Sequence, residues 1–119
     1  MAKTYTINIP THDGIKTQSG VLFRIPLNVG RSDLPADAPV FTFLFVCHEN
    51  GKPSVLTHWE SGLSFAGLDG IVYRRKKAGL SLGKRVIAEQ AVEETVRRVG
   101  IETCVNAVAR SEKINALPA

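Results

Sequence analysis

Six basic residues fall within twelve positions: Arg74, Arg75, Lys76 and Lys77, then Lys84 and Arg85. No acidic residue interrupts the chain between Asp69 and Glu89. The 119-residue chain carries a formal charge of +4, so these six side chains supply more than all of it and the other 113 residues sum to −2. Positive charge gathered at one place attracts an anion there, whereas an evenly basic surface favours general adhesion to nucleic acid. The segment leads into a predicted helix. Lys84, Arg85 and the first free backbone N–H groups can therefore converge on an anion, with Arg74 to Lys77 reaching in from the preceding loop. The partner this implies is nucleic acid, another polyanion or phosphate; the bland alternative is a solvated, solubilising loop. Gly79-x-x-x-Gly83-Lys84 is one residue short of a P-loop, and Arg85 stands where a hydroxyl would hold magnesium, which excludes nucleotide hydrolysis.

A second candidate centre is His58. Strand pairing places it on an apolar face between Phe43 and Phe65, where a histidine must find a partner or stay neutral. With Tyr5 or Cys104 nearby it is placed to orient a small ligand between sheet and helices; a hydrogen-bonded core histidine is the commoner arrangement. His12 and His48 fall in turn regions, and no set of His, Cys and Asp has ligand spacing, so no metal site is expected. Cys47 and Cys104 are far apart and read as reduced core thiols. There is neither a nucleophile elbow nor a carboxylate dyad. The sequence thus shows no catalytic motif and implies no cofactor; it favours a non-enzymatic protein and leaves catalysis only to residues that the fold brings together.

Alternating hydrophobicity supplies the elements that position these groups. Tyr5, Ile7 and Ile9 alternate with polar residues over a strand at about 3–9. Pro10 ends it, and Thr11-His12-Asp13-Gly14 opens a polar stretch to Gly20. A second strand covers 21–28, with Pro26 requiring a sheet edge or bulge because it cannot donate to a ladder. The Val29–Pro39 stretch reads as a plain connecting loop. Strand 40–47, the Asn50-Gly51 turn and strand 54–59 form a hairpin. With Asn50 and Gly51 central, Cys47 faces Ser54, Phe45 faces Leu56 and Phe43 faces His58. A turn at Ser61-Gly62 brings back a fifth strand, 63–66, with Phe65 opposite His58.

Phe41, Phe43, Phe45, Leu56, Leu63 and Phe65 then share a core face, which Tyr5, Ile7, Ile9, Val21, Phe23 and Ile25 can join. The phenylalanines alternate with no basic residue, so they read as core and not as a base-stacking platform. The opposite face carries Leu44, Val46, Val55 and Trp59, too apolar to stay fully wet, and marks either a helix-covered surface or an interface between subunits. Ile71-Val72-Tyr73 reads as a short sixth strand. Lys84–Val99 has helical periodicity, with Ser81 as a candidate N-cap, Arg97 and Arg98 at the negative end of the dipole, and Gly100 as the stop. A second helix is expected at about 102–115, although Ile101, Thr103, Val105 and Ala107 also fit a strand.

The expectation is a single α+β domain: an antiparallel sheet of about five strands, backed by helix 84–99 on its phenylalanine face, with a second C-terminal helix. With 44% hydrophobic and 22% charged residues the composition is that of an ordinary globular protein. No apolar run approaches the ~18–20 residues of a membrane span, and no secretory segment is visible, so a cytoplasmic protein is expected. Three functions fit. The first is a non-enzymatic module binding an anionic partner through 74–85. The second is a small-molecule binding or catalytic domain with its pocket at His58. The third is a homodimer joined through the Trp59 face.

Overall fold

The computed structural model describes residues 3–118. The strands are β1 (Thr4–Thr11), β2 (Gly14–Pro26), β3 (Val40–Cys47), β4 (Pro53–His58) and β5 (Ser64–Gly67). The helices α1 (Asp69–Lys77), α2 (Lys84–Val99) and α3 (Ile101–Ala109) follow. All four strand pairs are antiparallel and sequential, in the order β1-β2-β3-β4-β5. This is the expected α+β architecture. Helix α2 lays Ile87, Ala88, Ala91, Val92 and Val96 on Phe41, Phe43, Phe45 and Leu56, and α3 adds Cys104.

The β3–β4 register is reached by two irregularities that cancel. The turn holds three residues, Glu49 to Gly51, because the His48 N–H donates to the Lys52 carbonyl and the Gly51 N–H to that of His48. Gly51 takes the left-handed position at φ +85°. Cys47 therefore faces Pro53 and not Ser54, but a bulge between Val46 and Cys47 takes up the difference. Phe45 faces Leu56 and Phe43 faces His58, as expected. A second irregularity pairs Leu56 with Ala66 and Thr57 with Ser64, leaving Phe65 unpaired between them, so it does not stand opposite His58.

Three expectations about the elements need correction. The polar stretch before Gly20 is strand, since Ile15 to Gly20 pair with Pro10 to Tyr5 in a long β1–β2 ladder. Ile71-Val72-Tyr73 is helix. Its β-branched and aromatic residues favour a strand, but Leu68 and Ile71 anchor one side in the core, and Asp69 at the start with four basic residues at the end suits the helix dipole. Helix α3 stops at Ala109 instead of continuing to 115. Pro26 lies where expected: β1 pairs only as far as Val21, so the Pro26 nitrogen faces an open edge. Ser81 does not cap α2 directly; its Oγ accepts from the N–H of Gly83, the N-cap residue.

The second face of the sheet is covered by the chain itself. β1 and β4 are three strand spacings apart, about 14 Å in a flat sheet. Even so, Ile7 packs with Leu44 and Trp59, the Tyr5 and Trp59 rings meet edge-on at 5.5 Å, and Thr57 Oγ1 donates to Gln18 Oε1 at 2.8 Å. The β1–β2 hairpin must therefore coil over β3 and β4. Gly20 stands at the bend, where a Cβ would fall 2.0 Å from the Phe45 carbonyl oxygen. Tyr5, Ile7 and Ile9 accordingly lie on the Trp59 side and not with the phenylalanines. Leu44 is 0% and Trp59 5% exposed, so neither is available to a second subunit; Val46 and Val55 are half-buried.

The segment after α3 locks this arrangement. Trp59 Nε1 donates to the Ala116 carbonyl at 2.7 Å. The Asn115 side chain accepts from the Asn8 N–H and donates to the carbonyls of Asn8 and Trp59. The Ile114 and Asn115 N–H groups both reach the Glu60 carbonyl. Because Trp59 is the chain's one tryptophan, its fluorescence reports on this lock directly. Asn115→Ala is expected to lower stability in urea by about 1–3 kcal/mol and to make Trp59 emission redder and more readily quenched. A loss under about 0.5 kcal/mol with unchanged emission would show that the tail is not needed to hold the hairpin down.

Candidate functional site

The helical geometry of α1 disperses the basic run. Successive residues point about 100° apart, so Arg74 to Lys77 surround the helix and do not share a face. Arg74 reaches α2 and donates two hydrogen bonds to the Glu94 carboxylate, at 3.0 and 2.9 Å. That contact, reinforced by Gln90, holds the Glu94 carboxyl below its ordinary value. Arg75 donates to the Ser81 carbonyl and to Gln90 Oε1, each at 2.6 Å, clamping the α1–α2 loop. Arg85 bonds Glu89 and the Arg24 carbonyl, with its guanidinium 5.5 Å from the Phe23 ring centre. The arginines of the segment are thus internal ties.

The lysines remain exposed. Lys77 lies over the Tyr73 ring at 5.6 Å, while Lys76 and Lys84 have no ion pair or hydrogen bond among the described residues. Lys76 lines a cleft of about 530 Å³ between α1, the β3–β4 turn and the entry to α2. Lys52 lines it as well, and Pro53, Val72, Tyr73, Leu82 and Ile87 form its apolar surface. Tyr73 is 64% and Leu82 46% exposed. Asp69 also lines the cleft, held by His48 Nε2 at 3.0 Å.

A separate cavity of about 180 Å³ opens between the β4–β5 turn, α2 and α3. Of the residues expected around His58, Phe65 and Cys104 line this cavity with it. Phe43 lies behind, its ring centre 4.9 Å from that of Phe65, and Tyr5 is on the other side of the sheet. Sequence reading assigns neither Ser61 nor the helical residues Thr95, Val99, Thr103 and Val108 to this site, and all of them line it. The three-residue step from His58 to Ser61 within a tight turn is the one local signal that could have found Ser61. The α3 residues depend on where Gly100 redirects the chain.

His58 is 3% exposed. Its Nδ1 meets Ser61 Oγ at 2.8 Å and the Ser61 N–H at 3.3 Å. Ser61 Oγ accepts from the Leu63 N–H, leaving its own proton to donate to Nδ1. Two donors aimed at Nδ1 make it the unprotonated nitrogen and place the ring proton on Nε2. Burial pushes the imidazole below its ordinary value, with Glu60 opposing and Lys113 assisting. Burial also raises the Cys104 thiol, so it stays protonated. Cys47 and Cys104 are both free, and the described residues contain no group of three His, Cys, Asp or Glu side chains able to hold a metal ion.

No protein family, characterised protein or solved structure matches this chain. The reading of the site therefore rests on its geometry. Among the described residues, no helix is long and apolar enough to cross a membrane.

The His58 environment makes a pH prediction. Its folded value lies below the unfolded one, near 6.5, so in acid the unfolded chain takes up the proton first. The stability this group contributes is complete above about pH 6.5 and is lost as pH falls through that value towards the lower folded value. Urea denaturation at pH 7.5 and 5.5 should show wild type losing more stability than His58→Gln, whose amide does not titrate. Equal losses would mean that the histidine charges as readily in the fold as in water.

Proposed function

We propose that this chain is a non-enzymatic binding module whose anionic partner is an acidic protein segment carrying apolar side chains. The carrying observation is the cleft that Lys52 and Lys76 line together with the apolar side chains of Pro53, Tyr73 and Leu82. A ligand matching it needs negative charge beside apolar groups. The arginines favour this partner over nucleic acid. Bidentate phosphate recognition is arginine's usual task, and Arg74, Arg75 and Arg85 are already engaged. Single-stranded nucleic acid also needs aromatic platforms, and the cleft offers only Tyr73. The reading carries a cytoplasmic setting, which the two free cysteines favour.

The test compares a labelled peptide alternating Glu with Leu and Phe against a single-stranded oligonucleotide of equal charge, by fluorescence anisotropy. The peptide is expected to bind, with affinity falling about tenfold in Lys52→Ser/Lys76→Ser and falling again in Tyr73→Ser/Leu82→Ser. Oligonucleotide binding with log K falling by about 0.9 per phosphate against log salt, indifferent to Tyr73 and Leu82, would replace the peptide by nucleic acid. Binding of neither ligand would remove the anionic partner altogether.

A further inference from the structure

We infer that the cavity beneath α3 is a second, independent site, for a small neutral molecule that is largely aromatic and carries one hydrogen-bond acceptor, with His58 Nε2 as the donor that holds it. Four observations converge on this class.

The first is an unused donor in an otherwise completed residue. Nδ1 is taken by Ser61, whereas Nε2 has no hydrogen-bond partner among the described residues. None of the described buried side-chain nitrogens or oxygens is both sealed from solvent and unpartnered. Nε2 therefore touches open space, although the residue is 3% exposed and is fenced by Phe41 at 5.1 Å and Phe43 at 6.4 Å between ring centres. The space that His58 lines is the cavity.

The second is size. An apolar cavity of about 150 Å³ takes up benzene, and this one measures about 180 Å³. It admits a substituted benzene ring and excludes anything like a nucleotide.

The third is the lining. Leu63, Phe65, Val99, Cys104, Ala107 and Val108 present carbon and a protonated thiol, and Thr95 Oγ1 already donates to the Ala91 carbonyl. Among the described residues no carboxylate lines the cavity to favour a cation, and an anion would lose its hydration against apolar walls beside a neutral imidazole. A neutral ligand accepting one hydrogen bond satisfies the donor without that cost.

The fourth is access. Leu63, Ser64, Thr103 and Ala107 are exposed and form the mouth, so entry needs no opening of the core. The chemistry stops at binding. Ser61 Oγ is held in the turn by its bonds to His58 and Leu63, which leaves it a strut and not a nucleophile.

The probes are acetophenone and α-methylstyrene, which share a shape and differ in having C=O or C=CH2. Binding to the full chain at pH 7.5 is followed by amide chemical shifts in ¹H–¹⁵N NMR spectra. Acetophenone is expected to bind with a dissociation constant on the order of 1 mM or below and to shift the amides of Leu63, Thr103, Cys104 and Val108. His58→Leu should cut acetophenone affinity about fivefold while leaving α-methylstyrene within about twofold. His58→Gln, which keeps an N–H at the corresponding position, should retain the preference. Ala107→Trp, at the exposed mouth, should abolish both without lowering the melting temperature, so the test stands even if His58→Leu folds poorly. Shifts confined to the Lys52–Lys76 cleft, no shifts at about 10 mM ligand, or a preference for the ketone that persists in His58→Leu would each overturn the inference. The cleft peptide should bind Ala107→Trp normally, which separates failure of this site from failure of the other.

Discussion

The structure depends on one constraint: a five-stranded sheet with two apolar faces and helices on only one of them. Helices α1 to α3 cover the phenylalanine face, and among the described residues no helix is left for the side of Leu44 and Trp59. The chain resolves this by coiling. The long β1–β2 ladder bends at Gly20, where no side chain fits, and brings Ile7 onto Leu44 and Trp59. Gly62, at φ +69°, makes the matching approach from the β4–β5 turn, where a Cβ would lie 2.5 Å from the Asn8 carbonyl oxygen. Two glycines without side chains thus let an open sheet wrap back on itself, and Asn115 ties the contact from outside.

The basic run has a structural role that its charge alone does not disclose. Four cations end α1, where the helix dipole is negative, and their arginines reach forward to fix α2 and the loop between the helices. This cross-bracing explains why the segment is so rich in arginine: the guanidinium of Arg75 meets a carbonyl and an amide at once, which a lysine ammonium on a flexible stem does less well. The basic residues the brace does not use are lysines, of which Lys76 lines the cleft with Tyr73 and Leu82; the proposed acidic partner rests on that difference between arginine and lysine.

Much of the fold was legible because period and turn chemistry agree along β3, β4 and α2. Val40–Cys47 and Lys84–Val99 have the bounds that hydrophobic spacing predicts. A two-residue turn and the three-residue turn observed give the same Phe43–His58 pairing, because the bulge beside Cys47 takes up the residue that the longer turn adds. Where expectation failed, a non-local term outweighed a local one. Lys16 to Ser19 lack hydrophobic alternation but are held by β1 across the ladder, and Ile71-Val72-Tyr73 yields its strand preference to the burial of Leu68 and Ile71. The face occupied by Tyr5, Ile7 and Ile9 was not legible at all, since alternation shows that two faces differ and not which one meets the helices.

The same limit applies to the two candidate sites, in opposite directions. Charge is visible in a sequence, but its availability is not. Arg74 and Lys76 look equivalent in the run, and only the helix phase turns one to Glu94 and the other to the cleft. A cavity is invisible in a sequence, yet its polar anchor can be inferred. Once Phe43 is set opposite His58, a histidine must lie among aromatic rings, and one of its two nitrogens can be satisfied within the turn by Ser61. What remains is Nε2. In a closed core that N–H would be a cost of about 1–3 kcal/mol; beside a cavity with an exposed mouth it becomes a donor facing open space. The position of α3 decides between these outcomes. Gly100, at φ +87°, starts that helix directly after α2, setting Thr103, Ala107 and Val108 at the cavity and not over the ring.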